Sequence, residues 1–189
     1  LINSNNIKIL DKYNYPIYKF NNDNLDGIML AAKNNSKETL EYLLLRFPDY
    51  IYNTNKFNNN WLHYLSSPKL IKYFLFNKKF KNINWSILLY QYNINKEAPI
   101  EYIYNLNNNI VEDVVIKYFK NYKDNKVLYV LFNNTHINDT IMIKILSFMI
   151  NNNVIFNKSI NNSLCLNWGL LARGNKKIID MLYNYKVKT

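Results

Sequence analysis

Few side chains in this sequence could act as a nucleophile, a base or a metal ligand. His63 and His136 are the only histidines, and Cys165 is the only cysteine. Catalysis at neutral pH usually needs a nucleophile, a base and an orienting group held together, and a zinc site built on thiolates needs several cysteines. We therefore predict no internal disulfide and no metal site. We interpret Cys165, between Leu164 and Leu166, as a small buried residue.

The acidic residues offer no better candidates for catalysis. The chain has 13 Asp and Glu residues, and no pair of them recurs at a spacing that suggests acid–base chemistry. Glu112 and Asp113 precede an apolar run, which is typical of favourable charge near a helix start. The sequence has no glycine-rich phosphate loop, no His-Glu-x-x-His motif and no calcium loop. His136 lies in the polar segment 133–138 and reads as a solvated loop residue. We predict a protein that is not an enzyme and needs no cofactor.

The net charge of +11 has two interpretations. Asn, Ile, Lys and Tyr number 37, 23, 22 and 17, more than half of the 189 residues, and such residues have A/T-rich codons. An A/T-rich genome therefore explains the lysines without selection for a basic surface. The alternative is a functional basic face that binds nucleic acid. Only 2 arginines accompany the 22 lysines, and arginine is the residue that best grips phosphate, so the first interpretation is favoured.

The sequence also bears on location. No apolar run approaches the roughly 18 residues of a membrane span. A chain with one cysteine does not need an oxidising compartment. We expect a cytoplasmic or nuclear protein, in a reducing environment and without a membrane partner.

The apolar pattern predicts an all-α fold. Apolar residues recur at three- and four-residue spacing in short bursts, and clusters of Asn, Asp, Lys and Ser separate them. Three Asn clusters, at 58–60, 107–109 and 151–153, predict breaks, and Asn is also expected to cap helix C-termini. The predicted helices cover residues 27–34, 37–47, 61–66, 68–77, 85–92, 96–105, 110–121, 124–133, 139–151, 163–173 and 175–185.

Several segments resemble ankyrin repeats. Residues 26–44 pair an Ile-Met-Leu-Ala-Ala helix with a Leu-rich second helix across an Asn-Ser turn. Residues 60–63, Asn-Trp-Leu-His, are similar to the family's Thr-Pro-Leu-His signature, and Leu62 follows Ile28 by 34 positions. Segments 148–157 and 172–182 resemble a repeat end and a final repeat.

The resemblance implies a helical repeat array, an ankyrin-like solenoid of about five to six helix pairs that is irregular in the middle. Residues 1–189 would form a single domain, with an irregular segment at 1–24 and the clearest repeats at 25–84 and 139–187. Between 85 and 135 the pairing is open: either 110–121 is an insertion or its partner helix is hidden. The Thr-Pro pair that begins the family's first helix is missing, and the glycine of the turn survives only at Gly174.

By the same resemblance, the chain is expected to be a scaffold or adaptor that binds another protein through loop tips and a concave helical face. The partner would be a host protein or a subunit of a larger assembly, since such degenerate repeats resemble those of A/T-rich DNA viruses, parasites or symbionts. His63 would have the family's structural role, with its ring bonded to neighbouring backbone. The predicted contact residues are Asn55, Lys56, Phe57, Asn58, Lys78, Lys79 and Lys81, with Asn53 and Asn82 beside them.

The alternative function is a nucleic-acid-binding or ribonucleoprotein-associated component that uses surface lysines. Aromatic residues among lysines, such as Tyr73 and Phe74 or Tyr118 and Phe119, are compatible with base stacking. At helical spacing, however, such residues are more often part of a core. Binding through lysines would weaken steeply with salt.

Overall fold

The computed structural model describes residues 17–104, 108–118, 137–152 and 175–186. These residues form eight α-helices and three short 3₁₀ turns, and no strand occurs among them. For these residues the prediction of an all-α fold is confirmed. The helices are α1 (Gly27–Lys33), α2 (Lys37–Arg46), α3 (Pro68–Phe76), α4 (Trp85–Leu89), α5 (Pro99–Tyr104), α6 (Asn108–Tyr118), α7 (Asp139–Asn151) and α8 (Lys176–Lys186), and the turns are Pro48–Tyr50, Trp61–His63 and Lys78–Phe80.

Most predicted helices exist, but several boundaries were wrong. The predicted helix at 61–66 is only the turn Trp61–His63, and the one at 96–105 begins at Pro99. The predicted break at 107–109 is wrong for Asn108 and Asn109, which begin α6. The predictions at 124–133 and 163–173 lie outside the described residues. None of the described helices has the length and apolar character needed to cross a bilayer.

The chain divides into two compact units, Leu1–Tyr102 and Ile103–Thr189. The division falls inside the 85–135 segment, where the sequence leaves the helix pairing open. In the second unit, α7 packs against both α6 and α8. Lys144 forms an ion pair with Glu112 at 3.2 Å, and the Asn175 amide donates to the Asp139 carboxylate at 2.8 Å. The buried side chains of this unit include Val111, Val114, Val115, Met142, Ile145, Leu146, Met149 and Ile178.

In the first unit, α1 packs against α2 and also against the turn Trp61–His63. The Trp61 ring, only 1% exposed, lies edge-on to Phe74 at 6.1 Å and to Trp85 at 6.0 Å. Aromatic pairs in this geometry add about 0.5–1.5 kcal/mol beyond their area burial. Trp61 therefore joins the 3₁₀ turn, α3 and α4 in one core.

The turn between α1 and α2 is built on Asn35. Its φ of 50° is in the left-handed region, which Asn tolerates better than most residues. The N–H groups of Asn35 and Ser36 bond back to the carbonyls of Ala32 and Ala31, at 2.9 and 3.0 Å. This pair of hydrogen bonds ends α1 with a left-handed residue, a position that Gly usually occupies. The prediction that Asn35 replaces a turn glycine is consistent with this conformation.

Three loops of the first unit share one hydrogen-bond pattern. They are the Asn21 loop (21–25), the Asn55 loop (55–59) and the Asn93 loop (93–97). In each, the Oδ1 of the first Asn accepts the N–H groups two and four positions later, at 2.9 to 3.1 Å. The backbone N–H of the same Asn donates to the carbonyl four positions later. The fourth residue has a φ of 58°, 59° and 60° in the three loops, respectively.

Each of these loops lies directly before the start of a helical segment. One residue separates them from Gly27, Trp61 and Pro99, where α1, the 3₁₀ turn and α5 begin. The Asn93 loop explains why α5 starts at Pro99 and not at 96: its hydrogen bonds and the left-handed Lys96 are incompatible with a helix over 93–97.

Hydrogen bonds between side chains and groups 31 to 34 positions away join successive parts of the first unit. The Asn35 amide donates to the Ser66 hydroxyl and accepts the backbone N–H of Ser67. The Tyr73 hydroxyl donates to the Glu41 carboxylate. The backbone N–H of Asn84 donates to the Tyr52 hydroxyl at 2.8 Å. A nearly constant separation in sequence means that equivalent parts of successive segments face each other.

Asn55→Ala should destabilise the protein by about 2–4 kcal/mol. Asn55 is 6% exposed and its amide also donates to the Asn24 carbonyl and the Tyr64 hydroxyl, and each buried group left unsatisfied costs about 1–3 kcal/mol. Chemical denaturation measures the change. Asn22→Ala, in the exposed part of the Asn21 loop, is the control and should stay within about 0.5 kcal/mol of the parent. Equal effects of the two substitutions would contradict this account of the loops.

Lys96→Gly should stabilise the protein by up to about 1 kcal/mol. A left-handed conformation costs a residue with a Cβ about 1–2 kcal/mol, and Gly removes this cost. Gly also makes the unfolded chain more flexible, which reduces the gain in stability by about 0.5–1 kcal/mol. Lys56→Gly is the matched control, since Lys56 lies in an equivalent loop and does not have a positive φ. It should destabilise by about 0.5–1 kcal/mol. The same sign for both variants would refute the prediction.

Candidate functional site

The tips of the Asn55 and Asn93 loops, which are hydrogen-bonded to each other, each carry an exposed apolar side chain. Phe57 is 39% exposed and Ile94 is 62% exposed. The backbone N–H of Ile94 donates to the carbonyl of Phe57 at 3.0 Å, so the two tips are joined directly. The Lys56 ammonium lies 5.0 Å from the centre of the Phe57 ring. We call Lys56, Phe57, Ile94, Asn95 and Lys96 the loop-tip surface.

The predicted contact residues Asn55 and Asn58 hold this surface together from within. Asn55 is buried and its amide is used inside its own loop and toward the Asn21 loop. Asn58 donates to the Tyr92 carbonyl at 2.6 Å and accepts from the Gln91 amide at 3.1 Å. Of the predicted group at 55–58, the side chains of Lys56 and Phe57 are therefore the ones that a partner could reach.

Sequence reasoning missed Ile94 and the Asn93 loop. The loop lies between two predicted helices, and the prediction extended the second of these back to residue 96. The signal was nevertheless present, because Asn21, Asn55 and Asn93 recur after 34 and 38 positions. Comparison of the residues that precede each helical segment would have aligned these three asparagines.

Lys78, Lys79 and Lys81, the second predicted group, belong to a different surface. They are exposed and lie in and after the turn Lys78–Phe80. Lys79 lines a groove of about 280 Å³, and none of the residues of the three loops lines it. The groove is formed by the last part of α2 and by residues that follow α2 and α3, whereas the loops precede α1, the Trp61–His63 turn and α5.

Glu41 organises the charge near this groove. Its carboxylate accepts from the Lys79 ammonium at 2.6 Å and from the Tyr73 hydroxyl at 2.7 Å. These bonds, chiefly the one from Lys79, hold the pKa of Glu41 below its usual value, and they raise the pKa values of Lys79 and Tyr73. The ammonium of Lys37 lies 4.3 Å from the centre of the Tyr73 ring. The cluster is partly exposed, so it contributes little to stability.

His63 is bonded on both sides to backbone groups. The N–H of Asn60 donates to Nδ1 at 3.1 Å, which leaves Nε2 to donate to the carbonyl of Glu97 at 3.3 Å. His63 thus joins its own turn to the end of the Asn93 loop, 34 positions later. Burial lowers the pKa of His63, although the bonds to Glu97 and Asn60 act in the opposite direction. This geometry is what the resemblance implies for a structural histidine.

Of the other candidates for chemistry, His136 and Cys165 lie outside the described residues. Within the described residues, no three His, Cys, Asp or Glu side chains come close enough to hold a metal ion. Asp26 is buried, but its carboxylate caps α1 by accepting the N–H of Met29 at 2.8 Å. Desolvation raises the pKa of Asp26 despite this bond.

His63→Ala should lower the melting temperature, with a loss of about 1–3 kcal/mol, because the substitution strands partly buried groups at Asn60 and Glu97. The loss should shrink as the pH falls from 7 to 5.5. Since the folded-state pKa of His63 is depressed, the unfolded chain takes up the proton first, and the stability that His63 contributes is lost as the pH falls below about 6.5. Thermal melts of both proteins across this range measure the difference. A gap that does not change with pH would contradict the assignment.

Comparison with known proteins found no matching family model, no matching curated protein and no matching solved structure. What the chain does must therefore follow from its own residues and contacts.

Proposed function

We propose that this chain is a non-enzymatic scaffold, built from ankyrin-like repeats, that binds a partner protein through its loop-tip surface. The repeat architecture is supported by three loops with the same hydrogen bonds and by contacts across 31 to 34 positions. The resemblance of residues 26–44 and 60–63 to ankyrin repeats agrees with this spacing.

The exposed pair Phe57 and Ile94 is the observation that carries the proposal. Single exposed apolar residues are common, but a backbone hydrogen bond joins these two residues and fixes the relative position of their backbones. A preorganised apolar pair loses little conformational entropy when a partner covers it. Polar residues around it, among them Lys56, Asn95 and Lys96, supply the rim that is typical of protein interfaces.

The positions of the lysines and of the aromatic residues favour a protein partner over nucleic acid. The exposed lysines of the first unit are spread over the end of α1, over α3, over the Lys78–Phe80 turn and over two loops. Lys33, Lys79 and Lys144 each face a carboxylate of the chain itself. Tyr73 and Phe74, the aromatic residues that could stack on bases, pack instead within the aromatic core around Phe80.

Capture of partners from native lysate tests the proposal. Ile94→Asp should reduce recovery of a specific partner by more than tenfold, because burial of a charge in the centre of an interface costs at least about 2 kcal/mol. Ile179→Asp is the matched control, since Ile179 is an isoleucine of similar exposure, 45%, on α8 of the second unit. Nuclease treatment should leave the wild-type result unchanged. Full recovery with Ile94→Asp, or loss of the partner after nuclease treatment, would refute the proposal.

A further inference from the structure

The groove near Lys79 has the dimensions of a side-chain pocket. Its volume of about 280 Å³ is at or below the lower end of the roughly 300–1,000 Å³ of sites that hold cofactors or drug-sized ligands. A space of this size suits one or two bulky side chains of another protein. Apart from Lys79 and Asn82, its lining is apolar or aromatic and includes Leu45, Pro48, Ile51, Tyr52, Phe80 and Ile83.

The apolar lining is accessible from solvent. Leu45 is 51% exposed and Tyr52 is 39% exposed, while Ile51 and Phe80, which also line the groove, are buried at 4% and 2%. The groove thus combines buried apolar lining residues with exposed ones. An exposed leucine beside an apolar cavity gains free energy when a partner covers both.

The walls of the groove are fixed before any partner arrives. The Tyr52 hydroxyl accepts the backbone N–H of Asn84 at 2.8 Å, which ties the segment after α2 to the segment after the Lys78–Phe80 turn. The turn itself is held by the Asn77 side chain, which accepts from the Lys79 N–H at 3.0 Å. Phe80 packs against Phe74 with ring centres 5.1 Å apart. A preorganised pocket of this kind needs little rearrangement to bind.

The charge around the groove is mainly positive. Lys78 and Lys81 flank Lys79 and are exposed, and within the described residues neither forms an ion pair. The carboxylate of Glu41 engages Lys79, and exposed Asp49 follows Pro48 on the other wall. Two lysines beyond the Lys79–Glu41 pair therefore leave an excess of positive charge on the Lys78–Lys81 side, which favours carboxylates on a partner.

We propose that this groove binds a segment of a protein that inserts one bulky apolar side chain and presents carboxylates to Lys78 and Lys81. The inference rests on the proposed function in that the partner is a protein. It concerns a separate surface, however, because no residue of the three loops lines the groove. The groove would recognise a short linear motif, while the loop-tip surface makes its own contact.

Selection from a library of random dodecapeptides displayed on phage, with the full chain as bait, tests this inference. We expect enrichment of peptides that carry Leu, Ile or Phe beside Asp or Glu. Enrichment should disappear with Leu45→Glu as bait, because this substitution adds a negative charge at the rim, and it should persist with Ile94→Asp. Leu45 is half exposed, so the variant should fold; Leu45→Ser serves as a milder second variant, and melting curves check both.

Fluorescence anisotropy with an enriched peptide tests the chemistry of recognition. Leu45→Ser should weaken binding at least tenfold, and Lys78→Ala with Lys81→Ala together about three- to tenfold. Raising the salt from 50 to 300 mM should weaken binding by a similar factor, since exposed charges are screened. Lys56→Ala with Lys96→Ala, two exposed lysines of the loop-tip surface, is the matched control and should have no effect.

Several results would overturn the inference. The first is that the wild type enriches no peptides relative to Leu45→Glu. The second is that the enriched peptides lack acidic residues, and the third is that a single-stranded DNA oligonucleotide competes with the peptide for binding. Loss of peptide binding in Ile94→Asp would move the contact to the loop-tip surface. The groove experiment could fail while Ile94→Asp still loses its partner in the capture experiment. In that case the inference about the groove would be refuted and the proposed function would stand.

Discussion

Hydrogen bonding by asparagine side chains to nearby backbone is the interaction on which the first unit depends. In the Asn21, Asn55 and Asn93 loops, one amide oxygen satisfies two N–H groups that a tight turn would otherwise leave without a partner. Because each loop leads directly into a helical segment, its conformation sets where that segment starts. The exposed tips and the buried core are therefore consequences of the same local bonds.

The same residue type also supplies conformations that other proteins assign to glycine. Asn24, Asn35 and Asn58 have φ values of 50° to 59°, and the chain contains only 3 glycines. Asn tolerates the left-handed region at lower cost than most residues, and its amide can bond across to the next segment, as those of Asn35 and Asn58 do. A composition rich in Asn and poor in Gly is thus compatible with ordered turns.

The sequence predicts the helices well where periodicity and a cap agree. The helix predicted at 139–151 matches α7 because the apolar spacing coincides with the Asn138 side chain, which caps it by accepting the Ile141 N–H. The prediction of helix boundaries fails where an apolar run adjoins a loop whose hydrogen bonds exclude a helical backbone. Trp61 begins only a 3₁₀ turn, and residues 96–98 are excluded from α5, since loop hydrogen bonds and Pro99 fix the start.

The candidate site was only partly predictable because exposure depends on three-dimensional pairing. Phe57 could be recognised as a loop tip from its polar neighbours, but Ile94 acquires its role from a backbone bond to Phe57 across 37 positions. Asn55 looks like any surface asparagine in the sequence and is buried by contacts with the Asn21 loop. Exposed and buried asparagines of the loops, such as Asn95 and Asn55, therefore cannot be told apart by residue type. What distinguishes asparagines such as Asn55 and Asn58 is that their amides bond to the neighbouring segment, and predicting those bonds requires the register between segments.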